Sequence, residues 1–179
     1  MKREALRAYL KLGGVIAYPT ESCYGLGCDP FNRQAVRRLI QLKGRPVSKG
    51  LILIADRFSR FQRLLKPLRK NQQSRLCATW PGPLTWILPA RDRAPWLRGK
   101  NLGLAVRVTA HPPAARLCRE LGTALVSSSA NKSGGYPVKT ARECRRIFGN
   151  RVRVIEGRIG KRKRASTLID FISGKVLRP

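Results

Sequence analysis

The run Leu51-Ile52-Leu53-Ile54 restricts the fold of this chain more than any other feature of its sequence. A strand with one face in water alternates apolar and polar residues, whereas every position of this run is apolar, which is typical of a strand covered on both faces. Val15-Ile16-Ala17-Tyr18 has the same character, and Pro19 ends it. We therefore predict an α/β fold in which helices pack around a twisted sheet.

One amphipathic helix and a series of shorter elements complete this prediction. Asn32 is suited to cap a helix at residues 33–43, whose apolar residues recur every three or four positions. Further strands are predicted at 85–88, 103–108, 124–128, 152–156 and 167–171, further helices at 57–66, 72–79, 113–121 and 139–148, and a polar loop at 20–27. A chain of 179 residues holds one core and is short for two domains, so we predict a single domain over residues 1–179.

The charge balance is strongly basic. There are 38 Lys and Arg residues against 9 Asp and Glu, a formal net charge of +29. Such a surface attracts polyanions such as nucleic acid, nucleotides or anionic lipid. A general bias toward basic residues would give the same total without a polyanionic ligand, and both interpretations stay open.

Cysteine usage and hydropathy favour a reducing compartment. The 5 cysteines include no Cys-x-x-Cys pair and lie in or beside apolar runs, so we predict reduced core thiols. The same spacing, with a single histidine, argues against a structural zinc site. No apolar run reaches the length of a signal peptide or a membrane span. We therefore predict a cytoplasmic protein that does not enter the membrane.

Several familiar catalytic and nucleotide-binding arrangements are missing from the sequence. His111 is the single histidine, and its setting in Thr109-Ala110-His111-Pro112-Pro113 predicts a turn after a strand, not a catalytic dyad or triad. No window matches the Gly-x-x-x-x-Gly-Lys-Ser/Thr loop or the dinucleotide-binding glycine fingerprint. A nucleotide would therefore be held by scattered Lys, Arg, Ser and Asn side chains and by main-chain amides.

Two segments can supply such groups, and Arg107 is a separate candidate; each has an alternative interpretation. Residues 127–134 place hydroxyl and amide groups after a predicted strand, where ligands of α/β folds bind, although a capped polar turn has the same composition. Lys43 and Arg45 suit an anion but are also consistent with a solvated face. Arg107 lies within the apolar strand at 103–108, where it needs an anionic partner such as a carboxylate unless that face is exposed.

A dense basic run, Arg-Ile-Gly-Lys-Arg-Lys-Arg, occupies residues 158–164. We predict a mobile loop at this position. The loop either is a solvated surface without a ligand or binds an anion, and the sequence leaves both open.

Five ordered blocks of the sequence resemble the YrdC/TsaC family, over nearly the whole length from Ile16 to Asp170. They are Tyr18-Pro19-Thr20-Glu21 with Tyr24-Gly25-Leu26-Gly27, Lys43-Gly44-Arg45, Trp80-Pro81-Gly82-Pro83-Leu84-Thr85, Ala105-Val106-Arg107-Val108, and Ser129-Ala130-Asn131. The second block resembles the Lys-x-Arg motif of the family and the last block its Ser-x-Asn motif. The resemblance implies one YrdC-like domain, a twisted mixed sheet flanked by helices.

The resemblance also implies a reaction. It is that of a nucleotidyltransferase, which joins L-threonine, bicarbonate or CO2, and ATP into threonylcarbamoyl-AMP and pyrophosphate for the threonylcarbamoyladenosine modification of tRNA. The threonine amine would capture CO2 as a carbamate, which would attack the α-phosphorus of ATP. Because a carbamate oxygen is already anionic, the protein would mainly position the reactants and neutralise phosphate charge, with Mg2+ carried by ATP.

Site residues follow from the resemblance position by position. L-threonine would be held by Thr20, Arg107, Ser127 and Ser166, with Arg107 facing the carboxylate. ATP would be held by Lys43, Arg45, Ser129, Asn131 and Arg178, of which the first four are the expected catalytic residues. The chain departs from the family in the basic run before Ser166, where relatives have a less charged loop that contains glycine.

The family further implies a monomer that passes its product to TsaB, TsaD and TsaE, and the end at Pro179 leads us to expect the short bacterial form. The non-enzymatic alternative is an RNA-binding or ribosome-maturation protein that contacts tRNA or other RNA through its basic surface. The charge favours it, although no RNA-recognition, KH or double-stranded-RNA motif is present. A third possibility is a carbamoyl-transfer module like those of hydrogenase maturation proteins, which occur inside much larger chains.

Overall fold

A computed structural model describes residues 3–179. The strands of this part are β1 (Ile16–Pro19), β2 (Tyr24–Gly27), β3 (Ile52–Ala55), β4 (Leu84–Pro89), β5 (Gly103–Val108), β6 (Leu125–Ser129), β7 (Arg153–Val154), β8 (Thr167–Asp170) and β9 (Val176–Arg178). The α helices are α1 (Arg3–Lys11), α2 (Arg33–Lys43), α3 (Lys70–Cys77), α4 (Pro112–Leu121) and α5 (Ala141–Phe148). Within the described residues, no helix is both long and apolar enough to cross a bilayer.

All nine of these strands belong to one mixed sheet. Its order is β7-β1-β2-β6-β3-β5-β4-β8-β9. The central strand β3 runs parallel to β5 and antiparallel to β6. The pairs β1–β7 and β4–β8 are also parallel, and the other neighbours are antiparallel. The prediction of a mixed sheet flanked by helices is confirmed.

Helices cover both faces of the sheet, so that the protein has two layers of core. Successive side chains of β3 enter different layers: Leu53 packs in the cluster that includes α2 and α5, whereas Ile54 packs with α1 and α4. Both side chains are fully buried. This alternation explains why the strand is apolar at every position. The prediction of a strand covered on both faces is confirmed.

Helix α2 begins and ends where its sequence predicts. The Asn32 side chain accepts a hydrogen bond from the amide of Ala35 at 2.9 Å, which satisfies a free donor of the first turn. Gly44 ends the helix in the left-handed region with φ of 58°, a conformation that glycine adopts without strain. These two caps determine where the last helical residue, Lys43, enters the interior.

The predicted helix at 57–66 is wrong. The chain makes only a short 3-10 turn at Phe58–Phe61. After this turn, Leu65 forms a β-bridge with Ala90, and the amide of Lys66 donates to the carbonyl of Pro89 at 2.9 Å. This pairing with the end of β4 satisfies the backbone in an extended form, so the helix does not continue.

The predicted loop at 20–27 is only partly correct, because its second half forms β2 between β1 and β6. The glycines of β2 make this approach possible. A Cβ built at Gly27 would lie 2.8 Å from a ring carbon of Tyr18 and 2.9 Å from the carbonyl oxygen of Val126. The missing side chains therefore let β1, β2 and β6 pack closely.

The segment predicted as a mobile loop, residues 158–164, is attached to the rest of the protein at two points. The amide of Gly160 donates to the carbonyl of Thr20 at 2.9 Å, and the amide of Arg162 donates to the carbonyl of Glu21 at 3.1 Å. A Cβ at Gly160 would lie 2.7 Å from the Glu21 carbonyl oxygen, so only glycine allows this approach. We call residues 158–164 the basic segment. The predicted strand before it is also shorter than expected, at Arg153–Val154 instead of 152–156.

Candidate active site

Most of the predicted site residues line one cavity of about 160 Å³ beside the central strands. The lining includes Thr20, Arg45, Arg107, Ser127, Ser129, Ser166 and Arg178. Strand pairing explains the convergence, because Ser127 lies opposite Ile52 of β3 while Arg107 lies opposite Ile54 of the same strand. The hydroxyl of Tyr18 donates to the Oγ of Ser127 at 2.7 Å and so holds this wall in place.

The two remaining predicted residues, Lys43 and Asn131, join the Lys-x-Arg and Ser-x-Asn motifs into one polar cluster. Lys43 Nζ donates to the carbonyl of Ser129, to the carbonyl of Asn131 at 2.9 Å, and to Oδ1 of Asn131 at 3.3 Å. Ser129 Oγ donates to the same Oδ1 at 2.5 Å. With 3% of its surface exposed, Lys43 is not on a solvated face, and that alternative is wrong.

The Asn131 amide group organises the loop that follows β6. Its Nδ2 donates to the carbonyls of Lys132 at 2.8 Å and Gly135 at 2.6 Å. The amide of Ser133 in turn donates to the carbonyl of Lys43 at 2.7 Å. The end of α2 and the Ser-x-Asn loop are therefore locked together, which places a buried ammonium group next to the serine hydroxyl of the cavity wall.

Burial and, to a smaller extent, the neighbouring positive charge of Arg45 together lower the pKa of Lys43 to about 8. The family resemblance implies that Lys43 holds ATP. On that assignment we expect the dissociation constant of MgATP to increase above about pH 8, by at most tenfold per pH unit, because the anionic ligand prefers the protonated amine and the free protein loses that proton. Calorimetric titration from about pH 7 to about pH 9.5 measures this. The variant Lys43→Arg stays charged over that range and should show no such increase. An equal increase in both proteins would contradict the prediction.

Three guanidinium groups surround the cavity. Arg45 donates from Nη2 to the carbonyls of Lys49 and Gly50, both at 3.0 Å, while Arg178 donates from Nε and Nη2 to the carbonyl of Ser166 at 3.1 and 2.8 Å. Burial, with the charges of Arg45 and Arg107, lowers the pKa of Arg178. The cavity is therefore strongly electropositive and suited to a polyanion.

Ser166, which follows the departure from the family, lies in the cavity wall as predicted. Its Oγ is 2.7 Å from the Oγ1 of Thr85 on β4, and Arg178 holds its carbonyl. The four consecutive basic residues before it have thus not displaced it.

Arg107 is buried, with 7% of its surface exposed, so the alternative of an exposed strand face is wrong. It has an anionic partner within the protein that the sequence analysis did not assign. Its Nη1 and Nη2 donate to Oε1 and Oε2 of Glu21 at 2.6 and 2.9 Å, and the hydroxyl of Thr109 donates to Oε1 at 2.7 Å. These charges and hydrogen bonds outweigh the effect of burial and lower the pKa of the Glu21 carboxyl. The sequence signal that could have identified Glu21 as this partner is its place in the pair Thr20-Glu21, directly after β1.

The prediction of a turn residue at His111 agrees with the structure, whereas the prediction of five core thiols is wrong for Cys77, which is exposed. His111 lies between β5 and α4, where it is the residue that precedes the helix. All five cysteines are free, and four of them are buried. Cys23 also lines the cavity, although the sequence analysis assigned it no role there.

Comparison with known proteins identifies the family. The sequence model of the Sua5/YciO/YrdC family, described as "Telomere recombination", matches residues 8–179. The chain belongs to this family. The threonylcarbamoyl-AMP synthase of Thiobacillus denitrificans is 63% identical over 174 residues, which are 97% of this chain and 93% of that protein. The protein of the same name from Methylobacillus flagellatus is 56% identical over 180 residues, with full coverage of both chains.

A solved structure adds a ligand to the comparison. The structure of P. abyssi Sua5 complexed with L-threonine superposes with a TM-score of 0.85 at 30% sequence identity. The superposition covers 94% of this chain and 50% of that one, so this chain spans about half the length of the P. abyssi protein. The resemblance to the YrdC/TsaC family stated from the sequence is confirmed.

Proposed function

We propose that this chain is a threonylcarbamoyl-AMP synthase that acts as a nucleotidyltransferase on L-threonine, bicarbonate or CO2, and MgATP. The observation that carries the proposal is the convergence of all nine residues assigned from the family at one cavity and its attached polar cluster. Full-length relatives of the same name and a threonine-bound neighbour support it.

The threonine half of the reaction uses the wall formed by Thr20, Arg107, Ser127 and Ser166. The substrate carboxylate pairs with Arg107. Because Arg107 is buried, the attraction between the two charges is stronger there than in water. The hydroxyl groups orient the amine and the substrate hydroxyl. The neutral amine attacks CO2 and forms an N–C bond while one C=O π bond of CO2 opens. One proton passes from the nitrogen to water, which leaves an anionic carbamate. This step needs no general base with a special pKa, in accord with the lack of a catalytic histidine.

The ATP half uses Lys43, Arg45, Ser129, Asn131 and Arg178. A carbamate oxygen forms a bond to the α-phosphorus, the bond between that phosphorus and the bridging oxygen to the β-phosphorus breaks, and pyrophosphate leaves. Charge develops on the phosphate oxygens in this step, and the fixed ammonium and guanidinium groups stabilise it. Mg2+ enters as part of the MgATP substrate and offsets the charge of the leaving pyrophosphate.

The cellular setting belongs to the proposal as well. We expect a cytoplasmic protein whose unstable product passes to TsaB, TsaD and TsaE, as the family resemblance implies. The net charge of +29 favours an additional contact with tRNA or other RNA. Such a contact would suit a protein whose product is used to modify tRNA. As the sole activity, RNA binding or ribosome maturation is less well supported, because it would not use the polar cluster around Lys43.

Pyrophosphate release from MgATP in the presence of bicarbonate tests the proposal. We expect release to increase at least about tenfold when L-threonine is added, since the carbamate nucleophile forms only on its amine. Reactions with D-threonine, or without bicarbonate in CO2-depleted buffer, are the controls. Folded protein without threonine-dependent release would favour the RNA-binding alternative. Turnover of carbamoyl phosphate without threonine would favour a carbamoyl-transfer module.

A further inference from the structure

The ion pair between Glu21 and Arg107 leaves one side of the guanidinium group for another ligand. A guanidinium group offers a carboxylate two pairs of donors, Nη1 with Nη2 at its end and Nε with one Nη along its side. Glu21 takes the end pair, at 2.6 and 2.9 Å. Nε is buried and has no hydrogen-bond partner among the described residues. A buried donor without a partner is costly, so the side pair is where a second carboxylate is favoured.

Glu21 is itself held on several sides. Its carboxylate accepts a third hydrogen bond from the Thr109 hydroxyl at 2.7 Å, and that hydroxyl accepts one from the amide of His111 at 3.2 Å. Because the amide supplies the hydrogen to Thr109, the hydroxyl hydrogen is free to point at Glu21. The carbonyl of Glu21 accepts from the amide of Arg162 at 3.1 Å, and Gly160 packs against it. Moving the carboxylate would break the hydrogen bond from Thr109, while the main-chain contacts hold the backbone of Glu21 in place.

The two members of the ion pair differ in their position relative to the cavity. Arg107 lines it, whereas Glu21 does not. A carboxylate in this position can determine where the guanidinium group lies without contacting a substrate itself. It also keeps the negative charge next to Arg107 in the protein before any substrate arrives.

We propose that Glu21 is a positioning residue for L-threonine, which holds Arg107 by its end pair so that the side pair receives the substrate carboxylate, with Thr109 fixing Glu21 in turn. This inference rests on the proposed function, since it names a further determinant of the same site. It makes the opposite prediction from a competing arrangement in which Glu21 occupies the threonine position and must leave when the substrate binds.

The test is the affinity for L-threonine, measured by calorimetry and as KM, in wild type, Glu21→Gln and Thr109→Val. In Glu21→Gln, a side-chain amide replaces one of the two acceptors, and its N–H groups meet the N–H groups of Arg107. We expect the dissociation constant and KM for threonine to increase about tenfold, while kcat and the KM for ATP change less than about twofold. Thr109→Val should give about a threefold increase, since it removes one of three hydrogen bonds. Thr109→Ser, which keeps the hydroxyl, should restore wild-type affinity.

Glu120→Gln is the matched control, because Glu120 forms an exposed ion pair with Arg116 at 2.7 Å and makes no contact with the site. It should leave both constants unchanged. Unchanged threonine affinity in folded Glu21→Gln overturns the inference, and tighter binding supports the competing arrangement instead. If Glu21→Gln does not fold, the pair Thr109→Val and Thr109→Ser decides by the same criterion. Wild type that neither binds threonine nor releases pyrophosphate would refute the proposed function, whereas an active wild type with an insensitive variant refutes only the role of Glu21.

Discussion

Replacing Arg107 with lysine is expected to increase the KM for L-threonine by roughly 30- to 150-fold, with the KM for ATP little changed. Lysine keeps the charge but replaces the planar set of donors with one ammonium group, whose three N–H groups cannot form a two-bond pair with Glu21 and another with a substrate carboxylate. Weakening a buried charge-assisted pair in this way costs about 2–3 kcal/mol, and each 1.4 kcal/mol corresponds to tenfold. Steady-state pyrophosphate release at varied threonine measures the effect.

Lysine is preferable to alanine at this position because alanine would leave the Glu21 carboxylate buried without a cation. Breaking a buried pair in that way costs about 3–5 kcal/mol of folding stability and would confuse unfolding with lost binding. Arg116→Lys is the matched control, since Arg116 pairs with Glu120 on the exposed surface of α4. An equal change in the KM values for threonine and ATP would contradict this prediction, because it would show that Arg107 supports the whole cavity and not threonine binding alone.

The elements that could be predicted from the sequence are those whose pattern is local. The run of β3 and the caps of α2 each depend on neighbouring residues, so the strand and the helix bounds at 33–43 agree with the structure. The segment at 57–66 has a helical pattern too, but Leu65 pairs with Ala90 across the sheet. Such a pairing depends on a strand more than twenty residues away, and no local pattern reveals it.

The same distinction applies to the site. Lys43 carries no mark that separates it from the other basic residues of the chain, and only its family motif singled it out. Its burial results from the packing of α2 against the loop after β6, across 88 residues of sequence. Arg107 was identified by its position in an apolar strand, yet its partner Glu21 is 86 residues away on another strand end. Residue types could therefore be assigned, whereas the pairs they form required the fold.

Replacing Lys43 with methionine is expected to reduce kcat by about 10²- to 10³-fold, the largest effect predicted for this protein. The substitution keeps most of the stem and removes the ammonium group that contacts both Ser129 and Asn131. Three oxygen atoms lose their shared donor, and the phosphate oxygens lose a fixed positive charge in the transition state. Removing one such preorganised donor from an enzyme typically costs this factor. Single-turnover pyrophosphate release at saturating substrates measures the chemical step directly.

Lys132→Met provides the comparison, because Lys132 is an exposed residue of the loop that Asn131 organises. It removes the same charge from the same region without removing a buried donor. If bulk charge near the site drives the reaction, the two variants should lose similar activity, and salt should weaken wild type strongly, since exposed charges are screened. If the buried contacts of Lys43 are decisive, Lys132→Met should stay within about twofold of wild type and salt should have little effect on kcat. The second result is expected, because Lys43 is shielded from solvent and held by three oxygen atoms, so its charge is fixed in position before ATP binds.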